Sequence, residues 1–272
     1  MKSLRFSRKQ LGIPYAIFLL VFVIFPLLLI ILYAFTKVDP NGSLELSGVK
    51  VSFTLANFIE FFSKSSNIRV LFISIGLAVV TTVICLLIAY PLAYILARSN
   101  LNKSGVLLIL FVLPMWINFV LRAMAMKDLL TLIGVFGFNN YLNVIIGMVY
   151  DYFPYMILPI YSIMAKMDIK LLEAARDLGC NGFGVLKRVI FPLSLPGVIS
   201  GITMVLIPSI STFYISQKLG NGKFFLIGDA IEGQYIANNL HFAAAIAFIL
   251  MVILLVCMGV VKYFTSKTYG GE

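Results

Sequence analysis

The apolar residues of this chain run in long unbroken stretches, neither alternating nor striped. A helix needs about 20 apolar residues to cross a bilayer. Six stretches reach or approach that length: 11–35, 70–97, 105–121, 141–165, 189–217 and 242–261. The third is the shortest and the fifth the longest, and only the fourth contains a charged residue, Asp151. The pattern predicts an all-α membrane protein with six transmembrane helices. The first stretch follows a basic segment as a signal peptide would. It is too long for one and shows no small-residue cleavage site, so a retained helix over 11–36 is expected.

The polar intervals give the rest of the organisation. Residues 1–10 form a basic N-terminal segment and 37–69 a long loop. A core of five spans covers 70–261, with a loop at 166–188, and 262–272 form the C-terminal segment. Within the long loop, "TLANFIEFFSK" (54–64) reads as a short amphipathic helix lying against the membrane surface, with Thr54 as its N-cap. Prolines 91, 114, 154, 159, 192, 196 and 208 fall in or beside spans. Membrane helices tolerate proline where neighbours re-satisfy the freed carbonyls, and each such site reads either as a kink that lets the bundle move or as packing.

Composition closes off other classes. The chain is 61% hydrophobic and 12% charged, with a mean hydropathy of +1.03. A soluble domain carries about 25% charged residues, so a soluble core is excluded. The net charge of +10 does not point to nucleic acid, because the basic residues sit in loops on one side of the membrane. With an internal N-terminus, 13 Lys and Arg fall in the 51 inner-loop residues and 8 in the 76 outer-loop residues. Both termini are therefore expected in the cytoplasm. Cys85, Cys180 and Cys257 show no paired spacing, and His241 is the single histidine, so neither a disulfide framework nor a metal centre is indicated.

The loop at 166–188 carries the most informative polar segment, "LLEAARDLGCNGFGVLKRVIFP" (171–192). Asp168 and Gly179 supply start and stop signals for a helix of about eleven residues, too short to persist alone in water. Leu171, Ala174, Ala175 and Leu178 share one face, ringed by Lys170, Glu173, Arg176 and Asp177. A helix lying on lipid would show bulky apolar residues and a basic rim. Small residues with mixed charge suit docking to another protein.

"EAARDLG", nine further residues and "VIFP" resemble the EAA loop of binding-protein-dependent ABC importer permeases. Val189 and Phe191 depart mildly from the aliphatic and Leu positions of that motif. The likeness extends to "LPMWINFVLR" (113–122), "LPIYSIMAKMDIKLLEAARDLG" (158–179) and "STFYISQKLGNGKFFLIGDAIEGQY" (211–235). These are similar to the spermidine/putrescine permease subunits, more narrowly to the first of the paired permeases. The resemblance implies a type I ABC importer permease fold. It implies that Glu173, Ala174, Ala175 and Gly179 belong to a coupling helix seated in a cytoplasmic ATPase. It also implies a second permease subunit, two ATPase copies and an extracytoplasmic polyamine-binding protein as partners. No Walker A sequence occurs, so no cofactor is expected on this chain; ATP and Mg belong to the ATPase subunits.

A polyamine path needs carboxylates or aromatic faces to replace hydration. Asp151 is the first candidate, with Tyr155 one turn on and Gly147 one turn back. Two readings of Asp151 stand, a cation site or a carboxylate held by a neighbouring helix. Trp116 and Tyr214 are further path candidates, and Asp229 and Glu232 are candidates in an outer loop, where they would meet the cation or a binding protein, or merely be solvated. The expected function is thus a non-enzymatic permease subunit of an ATP-driven polyamine importer working by alternating access. Alternatives are the same machine with another cargo (thiamine, iron or an anion), a secondary transporter, which would need ionisable residues in several spans, or a membrane enzyme, which would need clustered polar groups.

Overall fold

The computed structural model describes residues 8–40, 42, 44–46, 48–98 and 105–269. Residues 1–7 of the basic segment, 99–104 of the first inner loop and 270–272 of the C-terminal segment lie outside the described residues. The chain divides into two compact units, Met1–Ile68 with Ala230–Val252, and Arg69–Asp229 with Ile253–Glu272.

The first unit begins with α1 (Arg8–Leu19) and α2 (Phe25–Ala34), joined by a wide π turn, Leu20–Ile24. The turn precedes Pro26, whose ring would clash with the carbonyl four residues back in a regular helix. Of the described side chains in Gly12–Ala34, Ala34 alone is buried. The following loop is more ordered than the sequence suggests. Strands β1 (Thr36–Val38), β2 (Leu44–Leu46) and β3 (Val49–Phe53) form an antiparallel sheet in the order β1-β3-β2, with Lys37 opposite Ser52 and Glu45 opposite Lys50. Strands of three to five residues are too short to show alternation, which is why the sequence left this region as a loop.

Helix α3 (Ala56–Ser63) is the expected amphipathic helix. Thr54 Oγ1 accepts the Ala56 N–H at 3.0 Å. One face of α3 buries Phe61 and Asn57, and Asn57 Nδ2 donates to the carbonyls of Ala34 and Thr36. Phe35, Phe58 and Phe248 stack around this point, and His241 Nδ1 lies 3.1 Å from the buried Thr36 hydroxyl.

The chain continues through α4 (Ser65–Arg98), a 34-residue span, into the second unit. The third span is not one helix. It comprises α5 (Val106–Val112), a 3₁₀ turn Leu113–Trp116 and α6 (Phe119–Leu132), and the two parts bend by 101°. Pro114 opens the 3₁₀ turn, and Asn118 caps α6 by accepting the Val120 N–H. Next come α7 (Asn140–Lys166), α8 (Ile169–Asp177) and α9 (Gly182–Val185). A second π turn, Leu186–Ile190, sits ahead of Pro192, and α10 (Phe191–Ser211) follows.

The fifth span therefore starts at Gly182, earlier than residue 189, and ends at Ser211, before residue 217. Thr212 and Phe213 break the helix, and α11 (Tyr214–Leu219) is a separate short element. The order closes with α12 (Ile227–Ile236) and α13 (Leu240–Tyr269). Among the described residues five helices are long and apolar enough to cross a membrane, six if the bent third pair is counted as one span.

The core of the second unit centres on α7 packed against α10. The spacing Gly197-xxx-Gly201 permits this: a Cβ at Gly197 would lie 2.8 Å from the Pro159 carbonyl oxygen, and one at Gly201 2.7 Å from Met156 Sδ. Small residues four apart let membrane helices approach backbone to backbone, where apolar burial alone supplies little attraction.

Candidate functional site

The loop helix α8 is set by local chemistry. Asp168 accepts the Lys170 N–H at 3.0 Å and opens the helix. Its end is a Schellman motif: Gly179 N–H donates to Arg176 O and Cys180 N–H to Ala175 O, with Gly179 at φ +84°. At the end of α4, Arg98 donates to Met167 O at 3.0 Å and fixes the linker into α8.

The apolar side of α8 is divided differently from the expected stripe. Leu172 and Ala175 are buried in the protein's own core, beside Met164, Val185 and Ile190. Leu171, Ala174 and Leu178 remain exposed, Leu178 at 86%, and Phe183 just beyond is exposed at 72%. Of the four motif residues, Ala175 is thus an anchor, Glu173 and Ala174 face outward, and Gly179 shapes the turn.

The second cluster lies in the spans. Asp151 stands near the middle of α7 and is 1% exposed. Its carboxylate lies 3.2 Å from Arg122 Nη1, and Arg122 is 5% exposed. Asp151 is thus paired with a residue of a neighbouring helix. The sequence assigned Arg122 to an outer loop because the apolar stretch ends there. It lies instead in the first turn of α6, inside the bent third pair. The available signal was Pro114 and Asn118, a breaker followed by a cap, ahead of another apolar stretch.

Neighbouring residues gather around this pair. Arg122 lies over the Phe119 ring, and Phe119 contacts Tyr214, whose ring also carries Lys218 Nζ at 5.3 Å. Tyr214 is therefore the first residue of α11 instead of a late residue of the fifth span. Tyr152, next to Asp151, donates its hydroxyl to Pro208 O at 3.3 Å, satisfying a carbonyl in the last turn of α10 just before the break. Asp151 and Tyr152 thus hold the edges of two interrupted spans. No pattern in the sequence signals the Tyr152 role, because it depends on where α10 ends.

Tyr155 is half-buried one turn further along α7, with its ring 6.4 Å from that of Tyr152. Trp116 ends the 3₁₀ turn at 78% exposure and is not brought to this cluster. A cavity of about 310 Å³ opens beside the bend, lined by Phe111, Pro114, Tyr150, Phe153 and Pro154 among others.

The proposed outer loop residues are helical. Asp229 is 6% exposed in the first turn of α12, where its carboxylate accepts the Ser216 hydroxyl at 2.6 Å and the Leu226 N–H at 2.7 Å. It anchors α11 to α12 and does not stand in a solvated loop. Glu232 is half-buried further along α12. The Ile227 N–H is accepted by Ser74 Oγ of α4, a cap delivered by another span.

A family model described as "Binding-protein-dependent transport system inner membrane component" matches residues 89–268. The chain is 34% identical over 266 residues to the spermidine/putrescine transport system permease protein PotB of Haemophilus influenzae, covering 92% of this chain and 91% of that one. It is also 34% identical over 254 residues to PotB of Escherichia coli, covering 87% and 90%. Among solved structures, a chain of a bacterial alginate ABC transporter, in complex with alginate pentasaccharide-bound periplasmic protein, superposes with a TM-score of 0.73. It does so at 13% identity, over 95% of this chain and 93% of that one, a likeness of fold. The long apolar helices and these matches make the chain a bacterial multi-pass membrane permease that belongs to the family of binding-protein-dependent transport system inner membrane components.

Proposed function

We propose that the chain is a permease subunit of an ATP-driven polyamine importer, with spermidine or putrescine as cargo. The observation that carries this reading is 34% identity over nearly the whole chain to permeases named for those substrates. In this reading the chain supplies half of a translocation path and no ATPase site. Its partners are a second permease subunit, two copies of a cytoplasmic ATPase holding ATP and Mg, and an extracytoplasmic binding protein. Both termini are cytoplasmic.

Coupling runs through α8. Leu171, Ala174 and Leu178 lie on its exposed side, while Leu172 and Ala175 tie the same helix to the core that contains α7. A push on the outer side by an ATPase is thereby transmitted to the spans. The two-sided division of α8, one side anchored and one side free, supports this role for Glu173, Ala174 and Gly179.

The test is reconstitution of the assembled complex in lipid with its binding protein, followed by ATPase and uptake assays. Spermidine or putrescine is expected to stimulate both. Stimulation by a different solute, with none from any polyamine, would reject the cargo while leaving the permease reading in place.

A further inference from the structure

We infer that Arg122 is a tethered competitor for the substrate at Asp151: its guanidinium occupies the carboxylate that an ammonium group of the cargo takes during transport. The inference rests on the polyamine reading above and adds the residue that sets affinity and release.

Three features of the pair carry it. The first is placement. Among the described residues, Asp151 is the one carboxylate within a continuous span, and it lies near the middle of α7. A bare carboxylate at that depth is costly, so a cation must accompany it in every state.

The second is looseness. Arg122 Nη1 approaches Asp151 Oδ1 at 3.2 Å, yet neither carboxylate oxygen nor Arg122 Nε makes a hydrogen bond, and Nη1 donates to the Asp151 backbone oxygen at 3.3 Å. Strong Arg–carboxylate pairs are bidentate, with two parallel hydrogen bonds. Burying two charges without satisfying them wastes most of the gain that would offset their desolvation. An ammonium, compact and with three donors, can satisfy oxygens that the guanidinium leaves unbonded. Asn143, two turns nearer the start of α7, is fully buried with both amide atoms unpaired, a second polar group for a cation whose charges are spaced along a chain.

The third is mechanical. Asp151 belongs to an uninterrupted 27-residue helix, whereas Arg122 sits four residues past Asn118, which restarts the helix after the 101° bend. Movement of α6 about that bend carries the guanidinium away and leaves the carboxylate in place. The ammonium then enters, and the return of Arg122 expels it. One positive charge faces Asp151 throughout, so the site stays neutral while the cargo is exchanged.

The experiment uses the complete complex with its binding protein in lipid nanodiscs and reads spermidine-stimulated ATPase activity for KM and kcat separately. Arg122→Gln keeps donors and removes the competing charge, so KM is expected to fall about tenfold and kcat to fall with it as release slows. Asp151→Asn removes the site, and KM is expected to rise about tenfold or more. The exchange Arg122→Asp with Asp151→Arg restores pairing, and with it assembly, but places the carboxylate on the moving piece; transport is expected to stay lost.

A structural ion pair predicts the opposite pattern. Full recovery of transport in the charge exchange, or an unchanged KM and kcat in Arg122→Gln, overturns the inference. If Arg122→Gln fails to assemble, Arg122→Lys decides: its shorter side chain holds the charge back from Asp151 and so competes less, which should lower KM by about threefold, and a wild-type KM overturns the proposal. A wild-type complex that responds to another solute and to no polyamine rejects the cargo reading, and this inference with it, before any variant is compared.

Discussion

The coupling segment and the span junction are inverted with respect to each other. On α8, outside the spans, Leu171 and Leu178 stand exposed. At the junction, inside the spans, Arg122 and Asp151 are buried. Each region places side chains where the hydrophobic effect alone would not. The difference lies in who supplies the compensation. At the junction both charges belong to this chain, so their cost is met within the fold. On α8 the exposed apolar residues find no partner among the described residues, and in the proposed importer the ATPase would cover them. Loss of a junction residue should therefore read out as stability, and loss of an exposed α8 residue as coupling.

The sharpest break of this comparison is Asp151→Leu, which leaves Arg122 buried and unpaired. It is expected to destabilise the complex by about 3–5 kcal/mol, seen as a lowered unfolding midpoint in detergent. Adding Arg122→Leu should recover most of that loss, because well-packed apolar side chains replace buried ion pairs at little cost. No recovery in the double variant would mean that the charges do more for the fold than neutralise each other.

Smaller effects are expected on α8. Gly179→Ala forces a side chain into the left-handed region and should cost about 1–2 kcal/mol, with a larger proportional loss of substrate-stimulated ATPase activity than of stability. Asp168→Ala removes the N-cap and should cost about 1 kcal/mol, measurable by thermal unfolding. Smallest of all in stability is Leu178→Ala, expected within about 0.5 kcal/mol of wild type because its side chain is 86% exposed. That variant should nonetheless bind its ATPase more weakly in pull-down from detergent. A loss of stability equal to that of Asp168→Ala would remove the contrast between the two regions.

Legibility followed the same division. Asp168 and Gly179 were readable because caps and left-handed turns are rules about neighbours in sequence, and the six apolar stretches because lipid sets their length. The face of α8 was misdivided between Leu171 and Leu172, since helical spacing identifies a stripe but not which edge meets the core. Arg122 was read as a loop residue because a charge ends an apolar stretch, and only Asp151, 29 positions away, makes its burial tolerable. Asp229 was assigned to a loop for a related reason: its partner Ser216 belongs to a short helix that exists because α10 breaks at Thr212. Strands β1 to β3 were invisible because each is too short to carry a period.

The cap that Ser74 provides for Ile227 has a consequence for how the molecule is made. A ribosome delivers α4 well over a hundred residues before α12, and N-terminal segments settle first during synthesis. Helix α12 thus begins on a hydroxyl already waiting in the second span. Should that span insert at the wrong depth, the hydroxyl is missing from its place and α12 starts with an unanswered N–H. Ser74 is then a checkpoint in assembly order: the end of the chain can be finished only after an early part has been put in the right place.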